Sequence, residues 1–439
     1  MRKGLPIAVI TILSLLILIL TNFSTKSLHP RVPIEDLRAI SKLLSPLAQW
    51  DWGLETLKSY SERNDNPLLL ILVAIALGER GDYNNAVSLL KRAESLLPSD
   101  SLPPLLQKLY DRKENLDKET VSLLALELKN RLRGWFRDKP LARLYRLSGN
   151  ITSAEKLEAA LERHNRPMIL RIAFLTFYTL LVFLAGIFLL IFYLSTASKR
   201  LSSHPEPPPS ISWGWAIAII FIFIITQTAI AVIPLFLAAL PIYSTPFWRN
   251  SVPFFYLLSE ITGGLLILHL TLKLLSQNQL SLKDIGFKIE GLGNFLWGLG
   301  GFLSAFPLVV STFALSYLLR LSSIKGREDI PLLFLTSSTG GKIALFFLVF
   351  ALAPIFEELM FRGILYPSLR RELGVTPAIA LSSFFFASIH ANVSQILPLM
   401  ALGALFSFLY EKKRSLIPSI IAHALWNAQN ALFLFLLYT

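Results

Sequence analysis

Apolar runs long enough to cross a lipid bilayer recur along this chain, and they leave it few folds to choose from. Hydrocarbon offers no water to a peptide N–H or C=O, so a spanning segment must bond within itself as a helix or join a closed barrel. The runs are continuous rather than alternating, which selects the helix. They lie near Leu5 to Leu20, Ile169 to Leu194, Trp213 to Leu240, Val252 to Leu275 and Phe295 to Leu319. Four more follow at Ile343 to Phe361, Pro377 to Ile389, Ile396 to Tyr410 and Ile417 to Leu437, about nine spans in all. The fold class this predicts is all-α: a polytopic transmembrane helical bundle, with an extra-membrane α-helical domain after the first span.

A net charge of +13 in a soluble protein would suggest nucleic acid, but here much of the Lys and Arg borders the apolar spans. Membrane topology accounts for it, and no nucleic-acid partner is expected. With the amino terminus inside, the inner loops carry Lys199 and Arg200; Lys273, Lys283 and Lys288; Arg370 and Arg371; Lys412, Lys413 and Arg414. The expected location is an integral, multi-pass one, in a bacterial-type plasma membrane or an internal membrane. The chain has no cysteine, which removes disulfides, thiolate zinc sites and a thiol nucleophile. Any metal would need His, Glu, Asp or Asn ligands.

Four segments follow from the pattern. Residues 1–23 are an uncleaved anchor, since TNFSTKS offers no small-residue cleavage site. Residues 24–166 are polar with amphipathic helical patterns and form a soluble α-helical domain. Within it Ala74, Gly78, Tyr83, Ala86, Leu90, Ala93 and Pro98 resemble a tetratricopeptide unit, with a weaker echo at Gly149 and Ala154. Helical repeats offer protein-binding surfaces, so this domain is the expected contact for a protein partner. Residues 167–212 hold the second span and the Pro-rich linker SSHPEPPPSIS, and residues 213–439 the membrane domain that carries the site.

Six polar side chains occupy the most lipophilic third of the chain: Glu357, Glu358, Arg362, His390, His423 and Asn427. Intramembrane ionisable groups are costly and mark function by default. Glu357 and Glu358 diverge by about 100° on one helix, so they take different roles. Arg362 lies four residues after Glu358 and suits an ion pair with it, leaving Glu357 for water or a metal. If Gly374 is the turn, Glu357 and His390 both lie roughly 25 Å from it along antiparallel helices. Counted from Arg414, Asn427 reaches roughly 20 Å and His423 roughly 14 Å, so this pair falls short unless its helix starts earlier or tilts. Pro354 removes a backbone hydrogen bond beside the site and could kink the helix. A carboxylate, two imidazoles and an amide suit hydrolysis. Glu357 takes a proton from water, the histidines bind zinc or assist the base, and Asn427 donates to a developing oxyanion. The candidate ligands for Zn2+ are Glu357, His390 and His423.

At these residues the sequence resembles the CPBP intramembrane proteases, the CAAX-protease or ABI family. EELMFR matches EExxxR, FASIH matches FxxxH and HALWN matches HxxxN, in order within the last ninety residues. LSLKDIGFK, Leu280 to Lys288, resembles a segment that often precedes the catalytic core. The resemblance implies a membrane endopeptidase, metallo- or glutamate-dependent, in which Glu357 activates water and His390, His423 and Asn427 complete the site. Glu358 and Arg362 fill the remaining motif positions. The expected substrate is a membrane-associated protein or peptide, reached within the lipid bilayer. The alternatives are a catalytically silent membrane scaffold using the tetratricopeptide-like domain, and a transporter with a Glu and His proton relay. The complete set of motifs argues against the scaffold, and the lack of paired Gly-interrupted helices in corresponding halves argues against transport. Glu260 and His269, also in a span, have no companions in the sequence.

Overall fold

The computed structural model describes residues 66–111, 116–199, 206–238, 246–288, 291–321, 338–390 and 392–438, with isolated positions before 66. It is all helical, with no strand among the described residues. The chain divides into two compact units, residues 1–28 with 176–434 and residues 29–175 with 435–439.

The smaller unit contains α1 (Pro67–Glu79), α2 (Tyr83–Leu96), α3 (Leu102–Tyr110), α4 (Lys118–Arg131), α5 (Trp135–Leu147) and the start of α6 (Ile151–Lys199). Asn66 caps α1 by accepting from the Leu68 and Leu69 amides, with Pro67 at the first helical position, where its missing N–H costs nothing. The α1/α2 hairpin buries Ala74, Ala86, Leu90 and Ala93, and Gly78 lets the Tyr110 ring lie against the backbone. That tyrosine donates to Glu79 at 3.0 Å, and Arg143 reaches the same carboxylate oxygen at 3.1 Å. Asp100 caps α3 through the Leu102 amide and holds Arg131 with two bonds of 2.5 and 2.7 Å. The repeat reading of this unit rests on the sequence pattern; the geometry gives a packed set of helical hairpins.

The larger unit is the membrane domain. Among the described residues, seven of its helices are long and apolar enough to cross a bilayer. They are the apolar part of α6, then α7 (Trp213–Ala238), α8 (Pro246–Gln277), α9 (Gly291–Leu318), α10 (Thr339–Leu373), α12 (Ile396–Lys413) and α13 (Ile417–Tyr438). One further helix, α11 (Val375–Ile389), is apolar but only 15 residues long. The expected first span, Leu5 to Leu20, lies largely outside the described residues. Eight of the nine expected runs fall on these helices. The protein is an integral, multi-pass membrane protein.

Helix α10 carries both glutamates and packs against α7, α8, α11 and α12. It is not a uniform α-helix: Leu348–Leu352 and Leu359–Leu365 are π-helical, and each stretch ends two residues before a proline, Pro354 and Pro367. Proline cannot donate to the turn below it, so the helix widens where that donor is missing. Gly374, at φ +87°, makes the tight reversal into α11 that a side chain would oppose.

The end of the bundle that bears the basic turns is tied by one buried carboxylate. Glu411 is fully buried, accepts from Tyr366 at 2.8 Å, and pairs with Arg414 at 3.1 Å and Arg370 at 3.5 Å. The LSLKDIGFK segment joins the same corner, where Tyr410 donates to the Ile285 carbonyl and the Leu416 amide donates to Gly286.

One prediction concerns the smaller unit. Burial pushes the Asp100 carboxyl up, but the Arg131 hydrogen bonds, the Leu102 amide and the Arg131 charge together outweigh it and hold the group below its ordinary value. A depressed carboxylate adds stability above the unfolded value near ~3.9 and loses it as pH falls through the folded one. Asp100→Asn should therefore cost about 1 kcal/mol or less at neutral pH, given its partial exposure, and the difference from wild type should shrink on acidification. Hydrogen exchange in α3 and α4 of the full chain, at neutral and acid pH, measures it.

Candidate active site

Glu358 has no exposed side-chain surface, and neither has Arg362. The first π-turn residues after Glu358 still leave Arg362 on its face, and Arg362 Nη1 donates to Glu358 Oε1 at 2.9 Å. A buried guanidinium needs more than one acceptor. Its Nη2 donates to the Gly403 carbonyl at 2.9 Å and its Nε to Ser407 Oγ at 3.4 Å, both on α12. The rings of Phe386 and Phe406 lie over it, 4.6 and 5.3 Å from the guanidinium carbon. Cation–π contact thus supplements the hydrogen bonds on two sides.

His423, on α13, completes this charge network. Its Nδ1 donates to the same Glu358 oxygen at 2.9 Å, and its ring stacks on Phe406 at 5.0 Å. A carboxylate can only accept, so Nδ1 carries a hydrogen and Nε2 is the free ring position. Nε2 lies 3.9 Å from Glu357 Oε2. Glu357 is the glutamate with access to space: its side chain is 16% exposed, while Oε2 itself is buried and has no hydrogen-bond partner among the described residues.

The helix counting that left His423 short is corrected by this contact. Glu411, near the end of α12, meets Tyr366 and Arg370 rather than Gly374. Arg414, three residues beyond Glu411, therefore puts the α12/α13 turn about one to five residues above the α10/α11 turn, roughly 2–8 Å. Added to the roughly 14 Å counted along α13, this takes His423 to roughly 16–22 Å, and the contact with Glu358 shows that the side chains close the remainder.

His390 caps the carboxy-terminal end of α11, one turn beyond Phe386. Since the Phe386 ring covers Arg362, His390 reaches the level of Glu358. Its Nδ1 donates to the Phe386 carbonyl at 2.8 Å, which again leaves Nε2 free. Among the described residues no hydrogen bond or ion pair joins it to either glutamate. Asn427 is engaged elsewhere: Nδ2 donates to the Val349 carbonyl at 2.9 Å. The cause lies in α10. The Ala353 amide turns back to Leu348, and Pro354, next in line, has no N–H to offer Val349. Asn427 thus fills the acceptor that the proline leaves open, with its second N–H and its carbonyl oxygen uncommitted among the described residues.

Glu357, Glu358, Arg362 and His423 are brought together; His390 and Asn427 flank them without touching a glutamate. Among the described residues no three of His, Asp and Glu converge as a metal-binding set. With His423 Nδ1 spent on Glu358 and His390 joined to neither glutamate among the described residues, the donor set expected for zinc is not preassembled. At 15 residues α11 spans about 22 Å, less than the ~30 Å hydrocarbon core. Its tip, with the turn Val393–Gln395, therefore ends at membrane depth, where irregular backbone is tolerated against protein or a water-lined cavity.

The sequence motifs did not single out Phe386 and Phe406 as the aromatic walls of the guanidinium, nor Gly403 and Ser407 as its acceptors. Phe386 was visible as the first residue of the FASIH pattern's helix face; the α12 groups carry no sequence signal, because a backbone carbonyl and a serine hydroxyl are ordinary residues until packing selects them. His269 is exposed on α8 and joins no cluster.

Residues 339–429 match the family described as Type II CAAX prenyl endopeptidase Rce1-like. That stretch contains all six polar residues. It is an Rce1-like domain. Among curated relatives, the chain is 30% identical over 100 residues to "Putative membrane peptidase YdiL" of Bacillus subtilis (strain 168), a match covering 23% of this chain and 36% of that protein. It is 27% identical over 154 residues to "UPF0177 protein YxdF" of Lactococcus lactis subsp. lactis (strain IL1403), covering 33% of this chain and 84% of that protein. The first match thus spans about a third of that relative's length. No solved structure matches the chain.

The two glutamates should separate in stability measurements. Glu358→Gln weakens the carboxylate paired with Arg362 and should destabilise the membrane domain by about 3–5 kcal/mol. Glu357→Gln removes no hydrogen bond and should change stability by less than about 1 kcal/mol. Thermal unfolding of the purified full chain in detergent, followed by size-exclusion recovery, reads both.

Proposed function

We propose that this chain is an intramembrane endopeptidase that hydrolyses a peptide bond in a membrane-associated protein or peptide. The observation that supports this most directly is the position of Glu357. It is a partly accessible carboxylate whose Oε2 has no hydrogen-bond partner among the described residues and lies 3.9 Å from an imidazole whose other nitrogen is fixed on Glu358. The Rce1-like match over residues 339–429 supports the same class of chemistry.

In this reading Glu357 takes a proton from water, the hydroxide adds to the scissile carbonyl carbon, and a tetrahedral oxyanion forms. Glu357 then returns the proton to the amine as the C–N bond breaks. His423 Nε2 faces the base and orients the water with it. His390 Nε2, when protonated, and the second Asn427 N–H are the donors offered to the oxyanion, where charge develops away from solvent. Glu358 and Arg362 act through His423 and through the rigidity of α10. The helical unit of residues 24–166 serves as the contact for a protein partner or for substrate recruitment, and it carries no part of the chemistry.

Two measurements test the proposal. Comparing membrane proteomes of cells carrying wild-type chain and Glu357→Gln should reveal an uncleaved precursor that accumulates in the variant, with His423→Ala giving the same precursor. Identical proteomes, with a phenotype lost only on deletion of residues 24–166, would establish the scaffold reading instead. Processing of that precursor in isolated membranes should persist in 1,10-phenanthroline at about its original rate. Loss that zinc restores would show that the glutamate-only mechanism is wrong.

A further inference from the structure

The Pro-rich linker and the LSLKDIGFK segment, two features of the sequence that the proposed reaction does not use, meet at one corner of the membrane domain. The linker is tied down there. Arg414 Nη2 donates to the Glu206 carbonyl at 2.8 Å, Arg371 Nη2 to the Ser210 carbonyl at 3.0 Å and Ser368 Oγ to the Ile211 carbonyl at 2.8 Å. Pro207, Pro208 and Pro209, with φ fixed and no N–H, keep the stretch between these ties out of a helix. The facing wall is Leu280 to Lys288. Leu280, Leu282, Ile285 and Phe287 pack into the core, and Gly286, at φ +92°, lies so close to the Tyr410 ring and the Arg414 carbonyl that a side chain would be opposed.

Between the linker, this segment and the α12/α13 turn lies a cavity of about 510 Å³, walled by the three prolines, Tyr410 and three cations, Lys283, Lys288 and Arg414. Two acidic residues also line it. Asp284 commits Oδ2 to the Ser281 amide and hydroxyl, at 2.7 and 2.6 Å, and Glu206 is exposed to solvent. Membrane topology explains why this end of the bundle is basic, but not why these cations surround a cavity. Neighbouring ones are turned elsewhere: Lys412 Nζ donates to the Thr196 carbonyl of α6, and Lys413 lies over the Trp297 ring of α9. Glu411 pairs with both Arg370 and Arg414, so two guanidinium charges meet one negative charge. Arg414 Nε is buried without a hydrogen-bond partner among the described residues, and Lys283 is exposed and makes no ion pair among them. A buried donor of this kind calls for an acceptor from outside the chain.

We propose that this cavity binds a phosphate-bearing group, the headgroup of an anionic phospholipid in the leaflet that meets the basic turns. Helix α8 ends at Gln277, α12 ends at Lys413 and α13 begins at Ile417, which puts the cavity at the polar margin of the bilayer, where headgroups lie. A free phosphate offers the same oxygens without the acyl chains that keep a lipid at that level. Lys283 and Lys288 approach the group from the segment and Arg414 from the turn, as charge-assisted donors to its oxygens. Occupancy joins linker, segment and turn. Through Arg371 and Ser368 it also braces the end of α10, the helix that carries the two glutamates. The inference does not depend on the proposed reaction.

Thermal unfolding of the purified full chain in a neutral detergent, titrated at constant ionic strength with phosphatidylglycerol, phosphatidylcholine or inorganic phosphate, tests it. Phosphatidylglycerol should raise the wild-type midpoint, and Lys283→Gln combined with Lys288→Gln should weaken its apparent affinity at least about tenfold. Lys283→Glu, at an exposed position, should weaken it in the same direction and serves if the double variant fails to fold. Lys412→Gln combined with Lys413→Gln removes the same charge from the same end and should stay within about threefold of wild type. Equal weakening by the two double variants, an equal response to phosphatidylcholine, or no response to phosphatidylglycerol overturns the proposal. A response to inorganic phosphate that matches the lipid and is lost in the Lys283 and Lys288 variant upholds the site and overturns the lipid as its source.

Discussion

Everything in the membrane domain near the site depends on how one ionised carboxylate is kept inside an apolar bundle. Glu358 has no exposed surface. In a medium of low dielectric its charge must be met by fixed donors. Arg362 supplies one from the same helix and His423 another from α13. Arg362 is then a buried cation with donors to spare, and it calls on Gly403 and Ser407 of α12 and on the rings of Phe386 and Phe406. One charge thus fixes α10, α11, α12 and α13 against each other. Between apolar helices in lipid this matters more than in water, because burying apolar surface gives no comparable drive toward a single arrangement.

The adjacent glutamate is defined by contrast. Glu357 sits one residue away with its side chain 16% exposed, and its Oε2, like Glu358 Oε2, has no hydrogen-bond partner among the described residues. The backbone departures around it follow from Pro354 and Pro367, which widen α10 on either side of the glutamate pair. The acceptor that Pro354 exposes is taken by Asn427, so the same proline that loosens α10 also joins it to the last helix. Rigidity on one face and an unpartnered carboxylate on the other are what a preorganised hydrolytic site requires.

Parts of this were legible in the residues and parts were not. The i, i+4 spacing of Glu358 and Arg362 is local, and a helix realises it wherever the helix lies. The common depth of Glu357 and His390 could be counted because a single turn, Gly374, links their helices. His423 could not be placed that way, since its depth depends on how far the α12/α13 turn rises above Gly374. Asn427 was legible as a polar group in an apolar span, but its attachment to Val349 depends on a backbone carbonyl left free by a π-helical stretch. Glu260 looked isolated in the sequence because its companion, Gln227, lies 33 positions away on another helix.

By itself the sequence determined that the chain spans a membrane as helices, since lipid permits no other use of continuous apolar runs, and it located the six polar residues within them. Only the tertiary structure decided which of those residues meet. Contacts between helices depend on turn heights, on the widths of π-helical segments and on close approaches such as Phe356 against Gly264, none of which is encoded in local spacing. That is why His423 joins the glutamates directly, why Asn427 turns to a backbone carbonyl, and why Glu260 meets Gln227.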